Sequence, residues 1–415
     1  MVALAFAALT AATCSHAATL RVDDLGDGST GTGAPDDPYR DLQHAIAAAG
    51  DGDTLAIMPG TFEAVPESFT DQLCGNCERH ETPVTATRGF HVSGKSLCLI
   101  GSGPAETTLV TNAGYGVFFE DSPRSTIARL TVTGGVRDAD GMATDAGIVA
   151  RLSRVAVNDV RIADNDDRHD DVVVGIGGVM GREGAELLVA GCVIDNNGWD
   201  GVALYRGATA YLADNTISRG RGAGVGITWD ASAVVLRNRI SGYWKGIGSF
   251  GGSTVVVRNN EVFDNLGWGL VATGTSSMEA SNNVVARNGN CGVALWSDEA
   301  TLALSGNIIT GNGWRDEWVC PRVGVWLNGD ERNLDARFNN VWGNVEGDYR
   351  DVDDLTGSNG NVSLDPQFAD SLDFSLLPGS PCLGAADPAG LDSDGGPADM
   401  GSGGGPDALR GAEIP

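Results

Sequence analysis

One repeat limits this chain more than any other feature of it. Asn215, Asn238, Asn260, Asn283, Asn307 and Asn340 form a column, the first five about 22–24 residues apart and the last after a longer gap. Two residues beyond each comes Ile217, Ile240, Val262, Val285, Ile309 or Trp342. Three residues before the first five stand Leu212, Val235, Val257, Ala280 and Leu304. A row without the Asn, residues 185–208, fits ahead of them with Gly191 in that column. Each row then carries a second apolar pair, such as Val202 and Leu204, Val225 and Ile227, or Val293 and Leu295. Alternation over so few positions has the period of a strand, not of a helix. Strands this short cannot bury a face alone, so successive rows must stack on a common core. An all-β chain with this period and Gly/Asn corners reads as a parallel β-helix. Leucine-rich repeats share the period, but their Leu-x-x-Leu-x-Leu frame is absent.

The Asn column has a physical reason in that fold. Rungs lie about 4.8 Å apart, so an amide turned inward at a corner can donate to one neighbouring Asn and accept from the other. Asn also tolerates the left-handed backbone of a sharp corner. A weaker second column runs Asn165, Asn196, Asn265, Asn288, Asn312, Asn344. The Trp of the recurrent Asn-x-Gly-Trp step, at Trp199 and Trp268 with Trp314 in a similar place, reads as a corner-packing residue.

The chain has 60 glycines in 415 residues without a collagen period, which fits many tight turns. Its net charge of −28 excludes a nucleic-acid footprint, which needs a basic patch. The same charge would repel a polyanion unless a local basic site or a bridging metal intervened. Residues 2–12 are apolar, and Ser15-His16-Ala17 resembles a signal-peptide cleavage site, although a basic n-region is missing. A lipoprotein reading through Cys14 fits its flanks poorly. The expected protein is exported and monomeric: secreted, periplasmic or held at the cell surface. No later segment is long and apolar enough to span a bilayer.

Seven cysteines follow the expected cleavage point, so at least one has no intramolecular partner. Cys74-Gly-Asn-Cys77 has zinc-knuckle spacing, but no second pair completes four ligands; a local disulfide framework with Cys98 is the other reading. Cys291 and Cys320 lie about one long row apart, a spacing suited to a disulfide that pins the excursion 313–322.

The chain resembles the secreted right-handed parallel β-helix proteins of the pectate-lyase superfold over roughly residues 20–400. The likeness rests on the rows and on an opening segment, 33–62, where a short amphipathic helix bearing Leu42, Ala45 and Ile46 precedes "GDTLAIMPGTF". It extends to closing turns at 365–388. The resemblance implies a helix-capped solenoid and leaves activity open, because the superfold hosts lyases, hydrolases, epimerases and inert surface proteins. We divide the chain into a signal (1–17), a cap, first rung and Cys-bearing excursion (18–97), the solenoid (98–350), and a last rung with a loosely ordered Gly/Asp/Pro-rich tail (351–415).

The residues flanking the second strand of rows 185–253 carry the candidate chemistry. Asp200, Arg206, Asp230 and Lys245 are the candidate catalytic set; Tyr205, Arg221, Trp229, Trp244, Phe250 and Trp296 are candidate substrate contacts. Outward aromatics can stack on sugar rings, or merely cover neighbouring rungs. Lysines are very few, and Tyr243 and Trp244 flank Lys245, which would desolvate it and lower its pKa. The resemblance implies lyases that hold calcium on aspartates and use Lys or Arg as the base. Asp200 and Asp230 can serve as calcium ligands or as a carboxylate pair. An ordinary Lys–Asp ion pair across rungs explains the same residues, and no family-specific catalytic motif is present. In "DNDDRHDD", Asp164, Asp166, Asp167 and Asp170 form a candidate Ca2+ cluster, with a solvated acidic loop as the competing reading. Asp392-x-Asp394-Gly395 echoes the start of a calcium loop but lacks its downstream Glu. The expected function is binding of an extended polysaccharide, with lyase-type or hydrolytic cleavage; the alternative is a non-catalytic adhesion solenoid.

Overall fold

The computed structural model describes residues 17–24, 30–73, 82–165, 174–316 and 319–408. The expected signal sequence, Cys74 and Cys77, and Asp166, Asp167 and Asp170 lie outside these residues. The described chain is a right-handed parallel β-helix in which short strands pair in parallel from row to row. It falls into two compact units: one reaches Val193 and includes Ala208–Ala210, the other comprises Ile194–Gly207 and the chain from Tyr211. No helix among the described residues is long and apolar enough to cross a membrane.

In the first unit the expected capping helix forms over Leu42–Ala48, and the Asp41 carboxylate accepts the His44 amide at its N-terminus. Leu42, Ala45 and Ile46 are its buried face. The strand Thr54–Ile57 follows and pairs in parallel with Thr19–Val22 and Cys98–Ile100. Val84–Ser93, Tyr115–Glu120, Ala146–Arg151 and Gly177–Arg182 stack in parallel as the unit's other sheet. Glu67–Asp71 pairs antiparallel with the first of these. Cys98 is buried at the start of its strand and is not among the free thiols.

In the second unit the asparagines form a ladder. Asn215 Nδ2 donates to Asn238 Oδ1 at 2.8 Å, Asn238 to Asn260 at 3.0 Å, Asn260 to Asn283 at 3.0 Å, and Asn283 to Asn307 at 2.9 Å. Each accepting oxygen also takes the backbone N–H of the Asn before it. The ladder continues through Asn339 and Asn361, not through Asn340 as the sequence spacing suggests. After the long excursion the row is read one residue late: Val341 is the buried aliphatic, while Trp342 is exposed. Asn340 instead donates to the Leu364 carbonyl at 2.8 Å. The second ladder runs Asn265, Asn288, Asn312, Asn344 as expected.

The left-handed corner is not taken by the ladder Asn. It falls on the residue before: Asp214, Arg237, Asn259, Asn282 and Phe338 have φ of 59°, 52°, 55°, 54° and 53°. The Asn itself stays free to point inward. Asn196, with φ of 53°, is likewise the corner residue, and the buried Asn197 follows it. Tyr243 occupies a ladder place in a shortened row: its N–H donates to Asn265 Oδ1, and its ring fills the space over Gly220, where a Cβ would sit 2.0 Å from a ring carbon.

The C-terminal segment is packed, contrary to the loose tail expected from its composition. Phe374, Cys382, Ala386, Ala398 and Met400 form a cluster with Phe263, Val284, Ala286 and Ile308. Asn259 Nδ2 donates to the Ser402 carbonyl at 3.0 Å, and Asn282 Nδ2 to that of Asp399 at 2.9 Å. Asp392 accepts the amides of Asp399 and Gly405, so it organises backbone in the manner of a turn. Phe374 is 3% exposed and meets the Phe263 and Phe368 rings. Phe374→Ala is expected to weaken the docking of this segment by about 3–5 kcal/mol. Faster hydrogen exchange at the Met400 and Gly401 amides would register the loss; unchanged exchange would refute it.

Candidate functional site

The outward columns of the second unit's strand face define the candidate site. Val225, Ile227 and Ile247 point into the core, so the residues between them face out. Ala203, Gly226, Gly248, Val271, Ala294 and Trp326 align in register along the middle of that face. Ala223, Lys245 and Trp268 align at the strand starts, and Tyr205, Thr228 and Phe250 at the strand ends.

Asp200 is buried just before the strand Val202–Tyr205. Its Oδ1 accepts the Ala223 N–H at 2.6 Å. Gly222 permits the approach, because a Cβ there would lie 2.0 Å from that oxygen. Burial pushes the Asp200 carboxyl up to about 6, against the Ala223 amide and the Lys245 charge, which both pull it down. Lys245 is shifted toward neutrality by its own burial, and the Asp200 charge opposes that shift. Its Nζ lies 4.8 Å from the centroid of the Phe250 ring. The pair is thus a carboxyl and an amine, each pressed toward its uncharged form.

The other candidates lie elsewhere on the face. Arg206 is buried in a left-handed corner with φ of 47°, its guanidinium 5.8 Å and 5.9 Å from the centres of the Tyr205 and Trp229 rings. Those two rings are 5.4 Å apart. Asp230, exposed with φ of 64°, follows Trp229. The strand Ala223–Thr228, about 16 Å long at 3.3 Å per residue, separates the Asp200–Lys245 end from Asp230, which comes two residues after Thr228. Asp200 and Lys245 thus interact through their charges near the strand starts, and Arg206 packs with Tyr205 and Trp229 at the strand ends. Phe250 links the two ends by lying over Gly248. Trp244 carries the Arg315 guanidinium 4.8 Å from its ring centre, and Arg221 is exposed. Trp296 stacks 5.5 Å from Trp268 and packs 6.0 Å from Trp326. These aromatics face outward yet are largely covered by one another.

Asp164 is ion-paired with Arg161 at 3.3 Å. Among the described residues no group of three or more potential metal ligands occurs.

The first unit holds a buried polar network with no counterpart in the repeat columns. Asp71 pairs with Arg182 and, at 2.7 Å, with Arg151, and it accepts from the Tyr115 hydroxyl at 3.2 Å. Burial works to raise the Asp71 carboxyl, but Arg182 and Arg151 prevail and hold it below the usual range. Arg151 also pairs with Glu120, whose Oε2 lies 3.0 Å from His91 Nε2. Nearby residues of the same unit, Asp138 and Asp145, form a carboxyl pair. An added Cβ on Gly114 would lie 2.3 Å from Asp138 Oδ2 and 2.8 Å from Asp145 Cγ. Asp145 pairs with the fully buried Arg137 and accepts the Asp138 N–H at 2.7 Å, while Thr87 Oγ1 donates to Asp138 at 2.7 Å. Burial and the Asp138 charge push the Asp145 carboxyl up to about 7. The partners in this network are separated by as many as 111 residues, and only the folded rows bring them together.

The model of the right handed beta helix region matches residues 84–227 and 177–341. No curated protein sequence matches the chain. Among solved structures, pectate lyase Pel9A is similar at 14% identity and a TM-score of 0.53, covering 93% of this chain and 96% of its own. The A-module of mannuronan C-5 epimerase AlgE4 from Azotobacter vinelandii is similar at 15% identity and a TM-score of 0.51, covering 83% of this chain and 99% of its own. At such identities the likeness is one of fold. With rows matched over more than half its length, the chain belongs to the right-handed parallel β-helix family.

Proposed function

We propose that this protein binds an extended, uronate-containing polysaccharide along the outward strand face of the second unit and transfers protons to and from it at Lys245 and Asp200. The observation that carries the reading is the charge interaction of the buried Asp200, its carboxyl pushed up to about 6, with the half-buried Lys245, whose amine burial lowers. Groups pressed toward neutrality in one site are suited to general acid–base work near neutral pH. In its neutral form Lys245 would take the proton next to the uronate carboxyl group. Asp200, when protonated, would serve the leaving oxygen. The Tyr205, Trp229 and Arg206 cluster would hold the polymer at the other strand end. Export follows from the apolar N-terminal run and is part of the proposal. Calcium enters it only through Asp164, Asp166, Asp167 and Asp170; the described member, Asp164, is already engaged by Arg161, and no step is assigned to a metal. A non-catalytic adhesion solenoid is the second reading, favoured by the mutual covering of Trp268, Trp296 and Trp326.

The test is incubation with a panel of uronate polymers, with and without calcium. The readouts are absorbance of unsaturated products, new reducing ends, and deuterium uptake from heavy water. Unsaturated absorbance marks elimination, new reducing ends without it mark hydrolysis, and deuterium uptake without cleavage marks inversion. Lys245→Ala is expected to lower the rate by about 100-fold or more. Asp200→Asn removes the charge that supports the Lys245 ammonium, so the limb of the pH–rate profile belonging to Lys245 should move to lower pH. Absence of all three signals with the unaltered protein, or a rate indifferent to Lys245→Ala, would leave the adhesion reading.

A further inference from the structure

Cys291 and Cys320 are 29 residues apart in sequence, and their sulfurs lie 3.2 Å from each other as free thiols. Both are buried in a cluster with Trp268, Val271, Ala294, Val323 and Trp326. A thiol is a weak hydrogen-bond donor, so this contact satisfies little as it stands. Closing it to a covalent bond of about 2.05 Å requires only a small sulfur movement. The excursion that carries Cys320 is otherwise held by scattered contacts. The Gly313 amide donates to the Asn288 carbonyl and the Arg315 amide to that of Gly289, each at 2.8 Å, and Asn290 Nδ2 donates to the Asp316 carbonyl at 3.1 Å. Arg315 then reaches the Trp244 ring, beside Lys245 in sequence.

We propose that Cys291 and Cys320 form an intramolecular disulfide that staples segment 313–322 to the strand-start side of the outward face. The oxidant is a second disulfide, of the class of oxidised glutathione or a disulfide-bearing folding catalyst. One cysteine thiolate attacks it and releases one thiol. The other cysteine then attacks the mixed disulfide and releases the second thiol. Two electrons pass to the oxidant, and the two cysteine protons end on the released thiols. Burial pushes the Cys291 thiol well above its ordinary range, and Cys320 adds to the shift, so thiolate is scarce once the cluster has closed. Exchange therefore belongs to the folding stage, and the finished bond is shielded from reductants.

The test is to fold the full chain in a mixture of oxidised and reduced glutathione, then unfold it in denaturant without reductant and alkylate it. Peptide mapping is expected to recover Cys291 and Cys320 cross-linked and unalkylated, while Cys192 and Cys382 carry the label. Alkylation of both Cys291 and Cys320 would overturn the proposal. Reduction of the folded protein, or Cys320→Ser, should speed hydrogen exchange at the Gly313 and Arg315 amides by about tenfold or more. The Asn260 and Asn283 amides serve as the folding control and should not change. Equal exchange of Gly313 and Arg315 with and without the bond would refute the stapling role.

Discussion

Asn260→Ala should destabilise the second unit by about 3–5 kcal/mol, one of the largest effects available to a single side chain of this size. Asn260 is fully buried, and its amide has every partner it can take. Nδ2 donates to the Val235 carbonyl at 2.8 Å, the Arg258 carbonyl at 2.9 Å and Asn283 Oδ1 at 3.0 Å. Oδ1 accepts the Asn238 amide at 2.8 Å and Asn238 Nδ2 at 3.0 Å. Alanine leaves buried groups unsatisfied in three successive rows, and each such group costs about 1–3 kcal/mol. Partial relaxation and water entry set the sum below that of the separate penalties. Asn260→Asp should be no better, since a carboxylate keeps the accepting role, loses both donors and brings a charge into the core. The measurement is chemical denaturation with Glu279→Ala as the comparison, because Glu279 is an exposed strand residue of the same unit outside the ladder. A loss below about 1 kcal/mol for Asn260→Ala would mean that the ladder is incidental to stability.

The second large effect is a pH dependence seated in the first unit. Asp145 holds its proton up to about 7 in the folded protein, against about 3.9 in an unfolded chain. Between those values the folded state binds more protons than the unfolded one, so stability must fall as pH rises. The contribution is present near pH 4 and lost by about pH 7. Asp138, also raised by burial, titrates together with Asp145, so the decline belongs to the pair. Asp200 works in the same sense over the narrower interval from about 4 to about 6. Asp71 and Glu120 work in the opposite sense. The Asp71 carboxyl is held down by Arg182 and Arg151, and that of Glu120 chiefly by its hydrogen bond to His91. Their contribution is present above about 4 and disappears as pH falls through their folded values. Thermal melting should thus reach its highest temperature in mildly acid buffer and decline toward neutrality. Asp145→Asn should flatten that decline, because an amide can donate to Asp138 with no proton to lose. A melting temperature that rises from pH 5 to pH 8, or an Asp145→Asn profile identical to that of the unaltered protein, would contradict the account.

The rows are legible in the sequence because their chemistry recurs. An inward Asn, an aliphatic two places on and a Gly before the second strand repeat whether or not anything else is known. Where the repeat breaks, reading fails by one residue. Asn340 stands next to the true ladder member because the excursion before it changes the row length, and two adjacent asparagines leave the phase ambiguous. The same reading puts the left-handed backbone on the Asn, whereas it belongs to the residue ahead. That position tolerates Asp, Arg, Phe and Gly as well as Asn, so it shows no column of its own. Asp200 and Lys245 are recoverable from sequence because row alignment places them two rows apart, with Ala223 in the row between. Arg206 and Asp230 are grouped with them by the same alignment, but row spacing says nothing about distance along a strand. The Asp138–Asp145 pair and the Asp71 network escape it altogether, being built from residues that no period relates.

The packing of Phe374, Cys382 and Met400 over Phe263, Val284 and Ile308 also fixes an order of assembly. The ribosome delivers the rows before the segment that shelters them. Until Phe374–Met400 emerge, a strip of apolar side chains on the rows faces water. The nascent chain passes through an aggregation-prone form at that stage, and any hold-up in synthesis between Leu364 and Met400 prolongs that interval.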